Sequence, residues 1–144
     1  MSDFTWPADE TEATSLAREL FINASVEQYR YWLERASDLV TCPHPKTPFE
    51  RQWSDVAKQD RMFREIFQTF TEQQRAAVLR LLDDSIRGAV FSTLCTLDQF
   101  PQGEVEITVV DGLRRFQITP AEMELHDDFM DAALAQPAPD QPST

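Results

Sequence analysis

Along most of the chain, apolar side chains recur every three or four residues, and over one short stretch they alternate instead. The first helical run starts near Ala8 to Thr11, with Ala13, Leu16, Ala17, Leu20, Phe21 and Ala24 in phase. Gln28, Tyr31, Trp32 and Arg35 continue that phase, which puts Tyr31 and Trp32 on the inward side. Ser25 with Gln28 could open a second, capped helix. No Gly or Pro interrupts the run, so one long helix to about Leu39 is expected, bent near Asn23 to Ser25. Pro43, Pro45 and Pro48 then end it and predict a stiff connection anchored by Phe49 and Trp53. A second helix is expected from Ser54 to about Phe70. Met62, Phe63, Ile66, Phe67 and Phe70 are on its apolar side, and Asp55, Lys58, Asp60, Arg61 and Glu65 are outside. Thr71 followed by Gln74 is a helix-start signal. The third helix then runs to about Asp98 with a wide apolar stripe (Leu79, Leu82, Ile86, Ala89 or Val90, and Leu97, widened by Val78, Leu81, Phe91, Leu94 and Cys95) and is expected to be central. Gly88 inside it suggests a close helix crossing.

The period changes to two in Glu104–Val110 and Leu113–Thr119, separated by Asp111-Gly112. This pattern predicts a β-hairpin with a two-residue Asp-Gly turn. That turn would pair Val110 with Leu113, Ile107 with Phe116 and Val105 with Ile118. Val105, Ile107, Val109, Phe116 and Ile118 would form a dry face opposite Glu104, Glu106, Thr108, Arg115 and Gln117. Thr119, Pro120 and Glu122 then read as cap, first turn and box of a final helix to about Ala135. The expected fold class is α+β: mainly helical, with about four helices and one antiparallel hairpin before the C-terminal helix. Residues 1–11 form an arm that folds back through Phe4 and Trp6, 12–135 a single helical domain with its hairpin at 104–119, and 136–144 a Pro-rich, disordered tail. The open hairpin edges invite pairing with a second copy.

Composition narrows the function classes. At 144 residues and 42% hydrophobic, the chain can build one core without a disulfide or metal. It has no apolar run of membrane-spanning length and no basic, apolar start, so neither a membrane span nor an export signal is expected. Cys42 and Cys95 then read as free thiols of a cytoplasmic protein. The net charge of −12 repels nucleic-acid phosphates and anionic membranes and favours a basic protein partner.

Candidate chemistry is sparse. Cys42, His44, Cys95 and His126 are zinc-type donors, but no Cys-x2-4-Cys pair accompanies them, so no metal site is expected. Cys42 and His44 also lack a third residue to orient them as a nucleophilic pair. Asp83, Asp84 and Arg87 form a polar patch in which Arg87 can pair with either carboxylate. Glu124, Asp127, Asp128 and Asp131 line one side of the last helix as a candidate docking face for a positive partner, and Tyr29 with Arg30 points outward as a candidate interface centre. With three glycines, the chain has no phosphate-cradling loop, no nucleophile elbow and no cofactor motif. The reading is a small acidic protein-binding or regulatory domain that neutralises a basic protein, as small acidic immunity proteins do. A homo-oligomeric (dimeric) structural or regulatory protein is the alternative. An enzyme using Asp83, Asp84 or His126 in a cleft is the least favoured class.

Overall fold

A computed structural model describes residues 5–50, 53–100, 103–119 and 124–135. Its elements are α1 (Glu10–Thr41), α2 (Ser54–Gln68), α3 (Glu72–Asp98), β1 (Thr108–Asp111), β2 (Arg114–Gln117) and α4 (Leu125–Leu134). The fold is therefore α+β and mainly helical, with the hairpin before the last helix. The chain divides into two compact units, with boundaries inside α1 and inside α3. Unit 1 comprises residues 1–27 and 90–144, and unit 2 comprises 28–89.

Local chemistry explains the helix limits. Asp9 caps α1, its carboxylate accepting the Glu12 backbone N–H at 2.9 Å. The helix is continuous through Ser25, whose hydroxyl donates to the Phe21 carbonyl rather than starting a new cap. Thr71 and Gln74 form the expected capping box at α3: Gln74 N–H donates to the Thr71 hydroxyl at 3.2 Å, and Thr71 N–H to the Gln74 side-chain oxygen at 2.8 Å.

In unit 1 the core is apolar. Ala13 and Ala17 of α1 close against Phe116 and Ile118, with Trp6, Phe21, Ile107 and Val109 around them. Trp6 lies on the Phe116 ring at 4.3 Å and donates its indole N–H to Asp111, so this part of the arm does fold back. Phe4 is outside the described residues. Leu125 and Phe129 of α4 are fully enclosed.

The hairpin differs from the sequence expectation by one turn position. The observed pairs are Asp111 with Arg114, Val110 with Arg115, Val109 with Phe116 and Thr108 with Gln117, so Gly112-Leu113 is the two-residue loop. Gly112 takes φ +58 at the first loop position, where primed hairpin turns need a positive φ. Contacts with the arm hold the residues that flank the turn: Asp111 accepts from Trp6, and Arg114 donates to the Pro7 carbonyl. Moving the turn by one residue shifts the pairing by two, so Ile107, Val109, Phe116 and Ile118 keep the shared face that alternation assigned them.

Thr119 is not a helix cap. Its hydroxyl donates to the Val105 carbonyl and accepts the Ile107 N–H, extending the ribbon. Glu124 is extended (ψ 147) and is itself the N-cap residue, so α4 begins at Leu125. Pro120 and Glu122 lie outside the described residues, as does the tail.

Unit 2 departs further from expectation. Tyr29, not Tyr31 or Trp32, faces inward: it continues the spacing of Ile22 and Val26, while Tyr31 and Trp32 are 52% and 56% exposed. On α2 the buried residue is Arg64, whereas Met62, Phe63 and Ile66 of the expected apolar side are exposed. The buried residue of α3, Leu94, belongs to the part of that helix in unit 1, and in the unit 2 part Leu81 is exposed, so this helix is not enclosed. Gly88 makes no close crossing, since a methyl group there would meet nothing within 4 Å.

Candidate functional site

Two regions carry the chemistry, one in each unit. In unit 2, Arg64 is held at the centre of an ionic cluster. Its guanidinium donates to Asp38 Oδ2 at 2.8 Å, to both Asp60 oxygens at 2.5 and 3.2 Å, and to the carbonyls of Asp38 and Cys42 at 2.7 and 2.9 Å. This planar fork closes the C-terminal turn of α1 onto α2 and uses most of its donors. Burial pushes the Asp38 carboxyl up, but the Arg64 hydrogen bond, with help from Cys42 and the Lys46 backbone, leaves it below its ordinary value. Burial pushes Arg64 down, and Asp60 and Asp38 more than reverse that.

Two concavities border α2. The larger, about 810 Å³, lies against the proline connection and includes Pro43, Pro48, Phe49, Arg61 and Arg64. The other, about 350 Å³, is a groove with Trp32, Leu39, Val56, Phe63, Leu82 and Ile86 along its sides. Arg35 lies over the Phe49 ring at 5.4 Å and contributes to the same groove.

In unit 1, His126 stands in the first turn of α4 and is 7% exposed. Asp98, the last residue of α3, accepts both the His126 backbone N–H (3.1 Å) and the ring Nδ1–H (2.8 Å) on one oxygen. The other ring nitrogen, Nε2, lies 3.0 Å from Glu124 Oε2 and 3.7 Å from Asp127 Oδ1. Gln99 donates to that same Glu124 oxygen at 3.1 Å, and the Phe91 ring meets the imidazole edge-on at 5.0 Å. The Asp98 hydrogen bond raises the His126 pKa above its ordinary value; burial opposes this, and the charges of Asp127 and Glu124 add to it. Burial, then Asp98 and its acidic neighbours, raise the Cys95 thiol, so this cysteine is not an activated nucleophile.

The sequence candidates are distributed as follows. Asp128 is drawn to Arg18 at 2.7 Å, and the same Arg18 donates to the Ile118 carbonyl. Asp128 is therefore a structural tie between α1 and α4, while Glu124, Asp127 and Asp131 remain exposed. Tyr29 is buried and donates its hydroxyl to Asp83 Oδ1; burial first, and then that bond, push its pKa up to about 12. It is not an outward-facing contact, and Arg30 beside it is half-buried. Arg87 pairs with Asp84 at 2.6 Å, not with Asp83. Asp83 and Asp84 thus each have a partner, Tyr29 and Arg87. Among the described residues, the one group of three or more His, Cys, Asp or Glu donors is Glu124, His126 and Asp127, which includes neither Cys42 nor His44.

The sequence reading missed Arg64, Asp38 and Asp98. For Arg64 a signal existed in Asp60 one turn earlier. For Asp38 and Asp98 there was none, because each works across a long sequence separation. The chain matches no known family model, no curated protein and no solved structure.

Proposed function

We propose that this protein is a small protein-binding domain that docks a basic partner through the exposed apolar side of α2. The observation that carries the reading is the inversion of that helix. Its buried residue is an arginine, while Val56, Met62, Phe63 and Ile66 are left 43–49% exposed and Trp32 beside the groove is 56% exposed. Large apolar and aromatic side chains around a groove are the usual anchors of interfaces. The charge distribution supports a basic partner. Unit 1 carries sixteen Asp or Glu against three Lys or Arg, and unit 2 carries nine against ten. The acidic excess therefore sits in unit 1, where Glu124, Asp127 and Asp131 are exposed, and its long-range field attracts positive proteins. The α2 face lies in the near-neutral unit, where affinity comes from apolar contact.

No helix among the described residues is long and apolar enough to cross a membrane. A carboxylate-based enzyme is less well supported, since Asp83 and Asp84 are taken up by Tyr29 and Arg87.

The test is co-purification with wild-type protein and with Phe63→Asp, followed by affinity measurement on the purified pair at low and high salt. A basic partner is expected, with binding weakened by salt and at least tenfold weaker for Phe63→Asp, which is about 1.4 kcal/mol. A partner held equally well by Phe63→Asp overturns the α2 assignment. A protein that captures only itself, as a dimer that Phe63→Asp dissociates, replaces the basic partner with a second copy.

A further inference from the structure

The surroundings of His126 pose an electrostatic problem of their own. Asp98 accepts from Nδ1, so the neutral ring carries its proton on Nδ1 and presents a lone pair at Nε2. Two carboxylate oxygens, Glu124 Oε2 and Asp127 Oδ1, stand at that nitrogen. Three acceptors thus converge from a side chain more than nine-tenths enclosed and from two exposed ones. Such an arrangement is repulsive unless a positive species sits among them, and two candidates exist: a proton on Nε2 or a metal ion.

The spacing suits a metal ion. Zinc ligands about 2.0–2.1 Å from the ion in tetrahedral array are about 3.3 Å from one another. The Nε2 separations of 3.0 and 3.7 Å bracket that value, and all three donor atoms lie within 4.8 Å of each other. Imidazole plus two carboxylates is a donor set of zinc type, with at least one position left for water or a further ligand. The surroundings suit it as well. A metal-bound histidine ordinarily gives its other N–H to a carboxylate, which fixes the ring and raises its basicity, and Asp98 does this while also holding the His126 backbone. Gln99 steadies Glu124, and Phe91 packs on the imidazole. The opposing factor is the positive end of the α4 dipole, which disfavours a cation. Two carboxylates in direct contact outweigh it.

We propose that Glu124, His126 and Asp127 bind a divalent transition-metal ion of zinc type, with Asp98 as the positioning residue behind His126. The test uses the full chain, stripped with a chelator and titrated with zinc chloride by calorimetry, with cobalt(II) absorption as the report on coordination geometry. One ion per chain and a tetrahedral cobalt spectrum are expected. Glu124→Gln with Asp127→Asn alters only exposed side chains, so it keeps the test valid if His126→Gln fails to fold. Both variants should lose the site. Asp98→Asn should weaken it about 10- to 100-fold, whereas Asp131→Asn, an exposed acid on the same helix, should leave it unchanged. Absence of zinc binding in the stripped protein assigns the position to a proton and overturns the proposal. Binding that survives Glu124→Gln with Asp127→Asn, or that falls equally with Asp131→Asn, overturns it too, since it reports diffuse attraction to an acidic surface.

Discussion

In unit 1 the largest fully enclosed side chains are Phe116, Ile118, Leu125 and Phe129, with Thr119 and His126 also buried beside them, while in unit 2 the buried set includes the ion pair of Arg64 and Asp38 beside Val40 and Tyr29. The two interiors draw on different physics. Burying a large apolar side chain contributes about 1.5–3 kcal/mol each. A buried ion pair roughly breaks even against its desolvation, and does so only when its geometry is good. Unit 1 therefore gains stability from its interior. Unit 2 gains geometry, because a guanidinium with five donors fixes where α2 meets the end of α1. The apolar side chains that α2 would otherwise have buried are left facing outward. The helix thus gives its inner face to an arginine and its outer face to phenylalanine and isoleucine.

The sharpest way to break this contrast is to remove one buried side chain from each unit. Arg64→Ala and Phe116→Ala should each cost about 3–5 kcal/mol in urea unfolding, the first by stranding Asp38 and the second by opening a cavity. Repair separates them: Arg64→Met combined with Asp38→Leu and Asp60→Leu should recover most of the loss, because an ion cluster can be exchanged for apolar volume at little cost. If the triple variant is as unstable as Arg64→Ala, the loss comes from the hydrogen bonds that Arg64 makes, including those to the Asp38 and Cys42 carbonyls, and not from a stranded Asp38 charge.

Acid provides a smaller lever on the same difference. The folded pKa of Asp38 lies below its unfolded value, so its stabilising effect is complete above the unfolded value, near 3.9, and is lost as the pH falls through the lower folded one. The urea midpoint should fall over that window in wild type. The triple variant lacks Asp38 and should lose less over the same range; an equal loss would assign acid sensitivity to other carboxylates. Smallest and opposite in sign is Gly88→Ala. A methyl group there meets open space in mid-helix, so the variant should be more stable by about 0.5–1 kcal/mol. Any destabilisation would show that this face of α3 is covered in solution.

What was legible in the sequence was what is decided locally. The Thr71–Gln74 box, the proline break after α1 and the dry face of the hairpin depend on neighbours a few residues away, and each is present as read. The misreadings share one cause: a competing interaction from far along the chain. Tyr29 and Tyr31–Trp32 offered two helical phases of similar apolar content, and the Asp83 carboxylate, 54 positions away, is the partner of the inward one. Arg64 was assigned to neither side of the second helix, and its partner Asp38 lies 26 positions earlier. Thr119 had the local chemistry of a cap but bonds to Val105 and Ile107. His126 was visible as a donor; its orienting Asp98, 28 positions back, was not.

The hairpin turn has a consequence for folding. Two registers, one looping at Asp111-Gly112 and one at Gly112-Leu113, bury the same set of side chains, so the hydrophobic effect is nearly degenerate between them. Selection passes to directional bonds at the two ends of the ribbon: Trp6 and Arg114 near the loop, and the Thr119 hydroxyl spanning Val105 and Ile107 at the base. The ribbon thus acquires its alignment by proofreading from tertiary contacts, and a chain lacking the Trp6 indole and the Thr119 hydroxyl should sample both alignments while keeping its core dry.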